Sequence, residues 1–168
     1  MTQPESDRAS QVNVARAIVL RQLTAGPRSR HQLAEALRRR NCPDDVAVEV
    51  LDRMEDVGLV DDNAYATELV RAKQEGRGLA KRAIVHELRR KGVDDSTAEE
   101  VLADVDPEQE RDRARELAAK KLRTMHGLDG PVQARRLAGM LARKGYDPDT
   151  VRAIVTEVIT DSPEHQPD

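Results

Sequence analysis

Apolar side chains return at helical spacing through most of the chain, with no run of alternating β-branched and aromatic residues that would argue for strands. Around residue 84 the pattern is plain: Ala80, Ile84 and Leu88 fall on one helical face, and Arg82, His86 and Arg89 on the opposite one. The same pattern occurs three times. Leu37 opens "LRRRNCPDDVAVEVL", Leu88 opens "LRRKGVDDSTAEEVL" and Leu141 opens "LARKGYDPDTVRAIV", at spacings of 51 and 53 residues. Four positions before each leucine stands Leu33, Ile84 or Leu137, and fourteen after it Leu51, Leu102 or Val155. Matches locked to this register mark an internal repeat.

Each unit reads as three helices, at 12–25, 29–40 and 44–57, then 62–75, 79–91 and 95–104, then 107–125, 131–144 and 148–159. Ser29 with Gln32 forms a capping box, Asp61 or Asp62 caps the fourth helix, and Pro131 and Pro148 stand at first helical positions. Glycines at 26, 58, 76, 92, 127 and 145 supply stops. The expected architecture is all-α, an elongated curved solenoid of three tandem three-helix repeats spanning 12–58, 61–105 and 107–159. A polar arm over 1–11 and an acidic, proline-containing tail over 160–168 are expected to be disordered.

Composition agrees with a helical chain. Of 168 residues 38% are apolar, and the aromatics are Tyr65 and Tyr146 alone, so the core must be built from aliphatic side chains. The net charge of −3 conceals blocks: +4 over 28–40, +5 over 76–93, eight carboxylates and no base over 94–110, and +7 over 111–144. Such alternation lets separate faces meet separate partners. The lone Cys42 excludes a disulfide framework and fits a reducing compartment, and neither a membrane-spanning run nor a signal segment is present, so a cytoplasmic protein is expected.

Two sets of basic residues are candidates for contact. Arg39, Arg90 and Arg143, followed by Arg40, Lys91 and Lys144, sit in last helical turns, where cations complement the carbonyl end of the helix dipole. That placement makes helix termination their first explanation. Arg38, Arg82, His86, Arg89, Arg135 and Arg136 lie further back, on outward faces, and read either as partner contacts or as solvated surface. The four histidines lack ligand spacing, no glycine-rich phosphate loop follows a strand, and no nucleophile–base set is suggested. Neither an enzyme, a metal site nor a cofactor is expected. Two tyrosines supply few stacking platforms, so affinity for nucleic acid would be weak, electrostatic and salt-sensitive.

The run "GLVDDNAYATELVRAKQEGRGLAKRAIVHELRRKGVDD" over 58–95 resembles the central signature of the RecX family of bacterial regulators. The matching positions are Gly58, Leu59, Val60, Asp61, Asp62, Tyr65, Ala66, Gly78, Leu88, Lys91 and Gly92, and the resemblance extends over about 14–159. Two departures stand out: no aromatic residue lies near Leu69, and Asn41-Cys42-Pro43 replaces the glycine turn in the first unit. The resemblance implies a regulator that binds the RecA recombinase and its filaments on single-stranded DNA. Such a protein suppresses ATP hydrolysis and strand exchange, and so modulates DNA repair and the SOS response. A monomer is expected. The alternative reading is a helix-turn-helix DNA-binding regulator formed by 29–57. Against it, the recognition helix would be 44–57, which carries six carboxylates and one arginine and would be repelled by phosphates. A plain helical scaffold is the third reading.

Overall fold

The computed structural model describes residues 2–165. Among these the chain forms nine α-helices and no strand: α1 (Gln3–Ala25), α2 (Arg30–Arg39), α3 (Asp44–Asp56), α4 (Asp62–Arg77), α5 (Lys81–Arg90), α6 (Asp95–Leu102), α7 (Pro107–Arg123), α8 (Gly130–Arg143) and α9 (Pro148–Thr160). The helix starts follow local chemistry. The Ser29 hydroxyl accepts the Gln32 amide hydrogen at 3.2 Å while the Gln32 side chain accepts from the Ser29 amide at 3.0 Å. Asp61, Asp94 and Asp147 accept the first-turn amides of Ala64, Thr97 and Thr150. These bonds hold the Asp94 and Asp147 carboxyls below the usual carboxylate range.

Two expectations are corrected. The segment 3–11 is not a disordered arm but the first half of α1: Glu5 accepts from the Thr2 amide and hydroxyl at 2.7 and 2.9 Å, which starts the helix without any apolar stripe. The tail does not begin to fray at 160. Pro163–His165 form a 3₁₀ turn in which Glu164 accepts from the Gly127 amide of the α7–α8 connection and from the Gln133 side chain on α8. Residues 166–168 of that expected tail lie outside the described residues.

The chain divides into two compact units, one comprising residues through Leu69 with Leu88–Val101, the other Val70–Glu87 with Leu102 onward. The middle three-helix set therefore contributes to both, since α4 and α5 each pass from one to the other. In the first unit α1, α2 and α3 pack pairwise around Ala15, Val19, Leu33, Leu37, Val50 and Leu51. In the second, α7, α8 and α9 pack around Ala114, Ala118, Leu137, Leu141, Ile154 and Val155. The repeat columns read from sequence are the core: Leu33, Ile84, Leu137, Leu37, Leu88 and Leu141 are each fully buried.

Within each unit the middle helix of one repeat abuts the helix-end turn of the next. In the first unit Ser29, at the start of α2, donates its hydroxyl to the Lys91 carbonyl, and His31 lies against Gly92. In the second, the Ala80 amide at the start of α5 donates to the Lys144 carbonyl at 2.8 Å, and Ala83 lies against Gly145. These are the same joint, repeated. Each joint requires glycine twice over. The backbone is left-handed, at φ +77° and +94°, and a Cβ would fall 2.2 Å from His31 Cβ or 2.6 Å from Ala83 Cβ. Among the described residues no helix is seated on the corresponding turn of the first repeat. There Asn41 adopts φ +59° while exposed, which explains the departure from glycine at that position.

Tyr146 completes the second joint. Its ring is buried beside Leu141 and Val151, and its hydroxyl donates to the Gly78 carbonyl at 2.8 Å. Burial pushes the phenol up to about 12 from 10.0. A phenol whose folded value lies above its unfolded one contributes stability that is complete below pH 10 and is lost as pH rises toward 12. Tyr146→Phe is therefore expected to lower the unfolding free energy by about 1–2 kcal/mol at neutral pH, because the Gly78 carbonyl loses its partner. It is also expected to lose part of the alkaline decline. Urea unfolding at neutral pH and again above pH 10 checks both, and equal alkaline loss in the two proteins would contradict the assignment.

Candidate partner-binding surface

The outward faces predicted from helical spacing are where the structure places them. On α5, Ile84 and Leu88 are buried while Arg82, His86 and Arg89 are exposed; on α8, Leu137 and Leu141 are buried while Arg135 and Arg136 are exposed. The six candidates differ in their local charge balance. Arg89 Nε donates to Asp95 at 2.8 Å, and Arg38 donates to Glu35 at 2.6 Å, so both cations are compensated at once. Hydrogen bonding to Asp95 raises Arg89 above the ordinary arginine range. Among the described residues Arg82, Arg135 and Arg136 form no ion pair. Arg82, His86, Arg135 and Arg136 belong to the second unit, whereas Arg38 and Arg89 belong to the first.

The helix-end columns take their expected places. Arg39, Arg90 and Arg143 are the last residues of α2, α5 and α8, with Arg40, Lys91 and Lys144 next in the chain. The lysines do more than end helices. The Lys91 and Lys144 carbonyls are the acceptors of the two joints, and the Lys144 ammonium donates to the Arg77 carbonyl at 2.6 Å. Periodicity reports which way a side chain faces but not where a backbone carbonyl is used, so this role was hidden. The repetition of Lys-Gly at 91–92 and 144–145 was its one trace in the sequence.

Sequence reasoning also missed how the acidic blocks are balanced. Four of the six carboxylates of α3 are met by Arg8, which reaches Asp45 at 2.5 Å and Glu49 at 3.3 Å, and by Arg30, which reaches Asp52 and Glu55 at 2.8 Å each. Burial works against the Arg30 cation, and its hydrogen bonds to Glu55 and Asp52 outweigh that, so it is held above the ordinary range. Gln133, the register equivalent of Ser29 and Ala80, is fully buried. It donates to the Met125 carbonyl at 3.0 Å and Glu164 at 3.3 Å, and its carbonyl oxygen lies 2.7 Å from the His165 ring.

The chemistry outside these faces is spare. Burial, with Asp45 and Asp44 nearby, pushes the Cys42 thiol up and away from thiolate reactivity. Among the described residues no group of three His, Cys, Asp or Glu side chains is placed to hold a metal ion, and no helix is long and apolar enough to cross a membrane.

Comparison with known proteins follows the three-helix division. Residues 15–54 match the family description "RecX, first three-helix domain", residues 61–102 the second and residues 108–155 the third. The chain is 49% identical over 153 residues to a protein of Streptomyces coelicolor named "Regulatory protein RecX", covering 91% of this chain and 81% of that one. It is 47% identical over 143 residues to the protein of the same name from Thermobifida fusca, covering 85% and 77%. Two solved structures share the fold. One is RecX from Lactobacillus salivarius, with a TM-score of 0.79 and 23% identity over 89% of this chain and 97% of that one. The other is a regulatory protein RecX, with a TM-score of 0.77 and 24% identity over 87% and 73%. The repeat, its Lys-Gly joints and three family matches in chain order lead to one assignment: this chain belongs to the RecX family of regulatory proteins.

Proposed function

We propose that this protein binds the RecA recombinase and its filaments on single-stranded DNA, and restrains RecA's ATP hydrolysis and strand exchange. Through that contact it would modulate DNA repair and the SOS response, as a cytoplasmic monomer and not as an enzyme. The observation that carries the reading is the set of exposed cations Arg82, Arg135 and Arg136, which form no ion pair among the described residues, in a member of the RecX family. These side chains stand on helices whose opposite faces are anchored by the buried Ile84, Leu88, Leu137 and Leu141. Their contact with a filament is electrostatic, and any direct binding to DNA is weaker and steeply salt-dependent.

The helix-turn-helix reading gains nothing from α3, an acidic helix with four carboxylates engaged by Arg8 and Arg30 and its apolar face in the core. Titrating the DNA-dependent ATPase of RecA with this protein tests the proposal. Inhibition is expected well below one protein per RecA protomer. Unchanged ATPase at every ratio would sink it, and a shift of bare duplex at physiological salt would favour the rival.

A further inference from the structure

The five large apolar side chains that stand most exposed, Val14, Leu20, Val48, Val57 and Leu59, all belong to the first unit. Three of them converge. Leu20 from α1, and Val57 and Leu59 from the turn that ends α3, line one groove of about 460 Å³ floored by Val50 and Met54. The turn is what exposes them. Gly58 at φ +79° reverses the chain, the Leu59 and Val60 amides both donate to the Met54 carbonyl, and Val60 is buried while Val57 is left 70% exposed and Leu59 52%.

The repeat does not need this patch. In the second repeat, where Ala66, Val70 and Leu102 take the buried places of Ala15, Val19 and Leu51, the position equivalent to Leu20 is Arg71, and the turn that follows α6 exposes Ala103 and Asp104 where the turn after α3 exposes Val57 and Leu59. In the third, the equivalents of Val57 and Leu59 are Asp161 and Pro163. An apolar cluster placed where the fold elsewhere uses charge is a feature of binding. Its rim indicates the occupant. Arg16 on α1 and Arg53 on α3 flank the groove and form no ion pair among the described residues, although other arginines that reach α3 are paired with its carboxylates. The one acid at the rim is Asp56. Cations around an aliphatic floor, with no aromatic ring on which a base stacks, suit an apolar side chain flanked by carboxylates and not a nucleic acid.

We propose that the Leu20–Val57–Leu59 groove is a docking site for an acidic, apolar-bearing segment of a partner protein. Resting on the function proposed above, that segment belongs to the RecA filament. Contact here adds a second, partly hydrophobic anchor to the electrostatic one on α5 and α8.

The test compares wild type with a Val57→Ser/Leu59→Ser variant, an Arg16→Glu/Arg53→Glu variant, an Arg16→Lys/Arg53→Lys variant and a Val14→Ser/Val48→Ser control. The control removes exposed apolar surface outside the groove. Each is titrated against fluorescent single-stranded DNA coated with RecA and against the bare strand, and each is sedimented alone. The half-saturating concentration on the coated strand is expected to rise about tenfold or more for the serine and glutamate groove variants. The lysine variant and the control should bind as wild type does, with all melting temperatures close together. Unchanged binding by both groove variants overturns the proposal. Loss of bare-strand binding in equal proportion assigns the groove to nucleic acid instead, and self-association of wild type that the variants abolish assigns it to a second copy. If the wild type ignores RecA-coated strand while the controls remain folded, the proposed function itself fails, and this inference goes with it.

Discussion

Gly145→Ala lowers the unfolding free energy by about 3–4 kcal/mol, against about 1–2 kcal/mol for Gly127→Ala. Both glycines hold left-handed backbone, at φ +94° and +85°, and an L-residue there carries a conformational penalty of about 1–2 kcal/mol. The two differ in what lies ahead of the missing side chain. Nothing stands within 4 Å of a Cβ at Gly127, whereas at Gly145 it meets Ala83 Cβ at 2.6 Å and the Ala83 backbone nitrogen at 2.8 Å. Backbone cannot rotate away as a side-chain tip does, so α5 must lift off the turn, weakening the Ala80–Lys144 hydrogen bond and the packing of Tyr146. Urea unfolding of the two variants with equal m-values isolates the close-approach cost as their difference. Equal losses would mean that the joint tolerates the displacement and is not a fixed structural element.

How far the sequence reveals this protein depends on whether a feature leaves a periodic trace. The columns of Leu33, Ile84, Leu137 and of Leu37, Leu88, Leu141 were readable because a buried stripe must recur with the helix, and because three copies repeat it at 51 and 53 residues. The caps at Ser29 and Asp61 were readable because each satisfies orphan amides with a residue of fixed type and spacing. The start of α1 was not. Residues 3–11 bury nothing, so their helix has no stripe and depends on Thr2, Pro4 and Glu5 at its end. Nor were the joints readable, since Lys91 and Lys144 act there through backbone carbonyls, which all residues share. The candidate surface was half readable. Exposure of Arg82 and Arg135 follows from the period, but the pairing of Arg89 with Asp95 spans the α5–α6 turn and appears only once that turn has a shape.

That pairing sets which charges are expected to matter most in the proposed filament contact. Reversing Arg82, Arg135 and Arg136 to glutamate is expected to raise the concentration needed for half-inhibition of the RecA ATPase by roughly 30–100-fold. Each exposed ion pair is worth roughly 0.2–1 kcal/mol, reversal turns attraction into repulsion of similar size, and about 1.4 kcal/mol is a factor of ten. Reversing Arg38 and Arg89 instead should cost less at the filament. Those cations are already compensated by Glu35 and Asp95, and reversal there sets like charges side by side within this protein. The two variants are therefore expected to separate by readout. The first loses inhibition and keeps its melting temperature, and its deficit shrinks as salt rises, because screening weakens wild-type attraction and variant repulsion together. The second shows a small loss in stability and a small loss in inhibition. Full inhibition by the triple variant at low salt would remove the cationic face from the mechanism and leave the apolar groove of the first unit as the surface on which a filament contact must be sought.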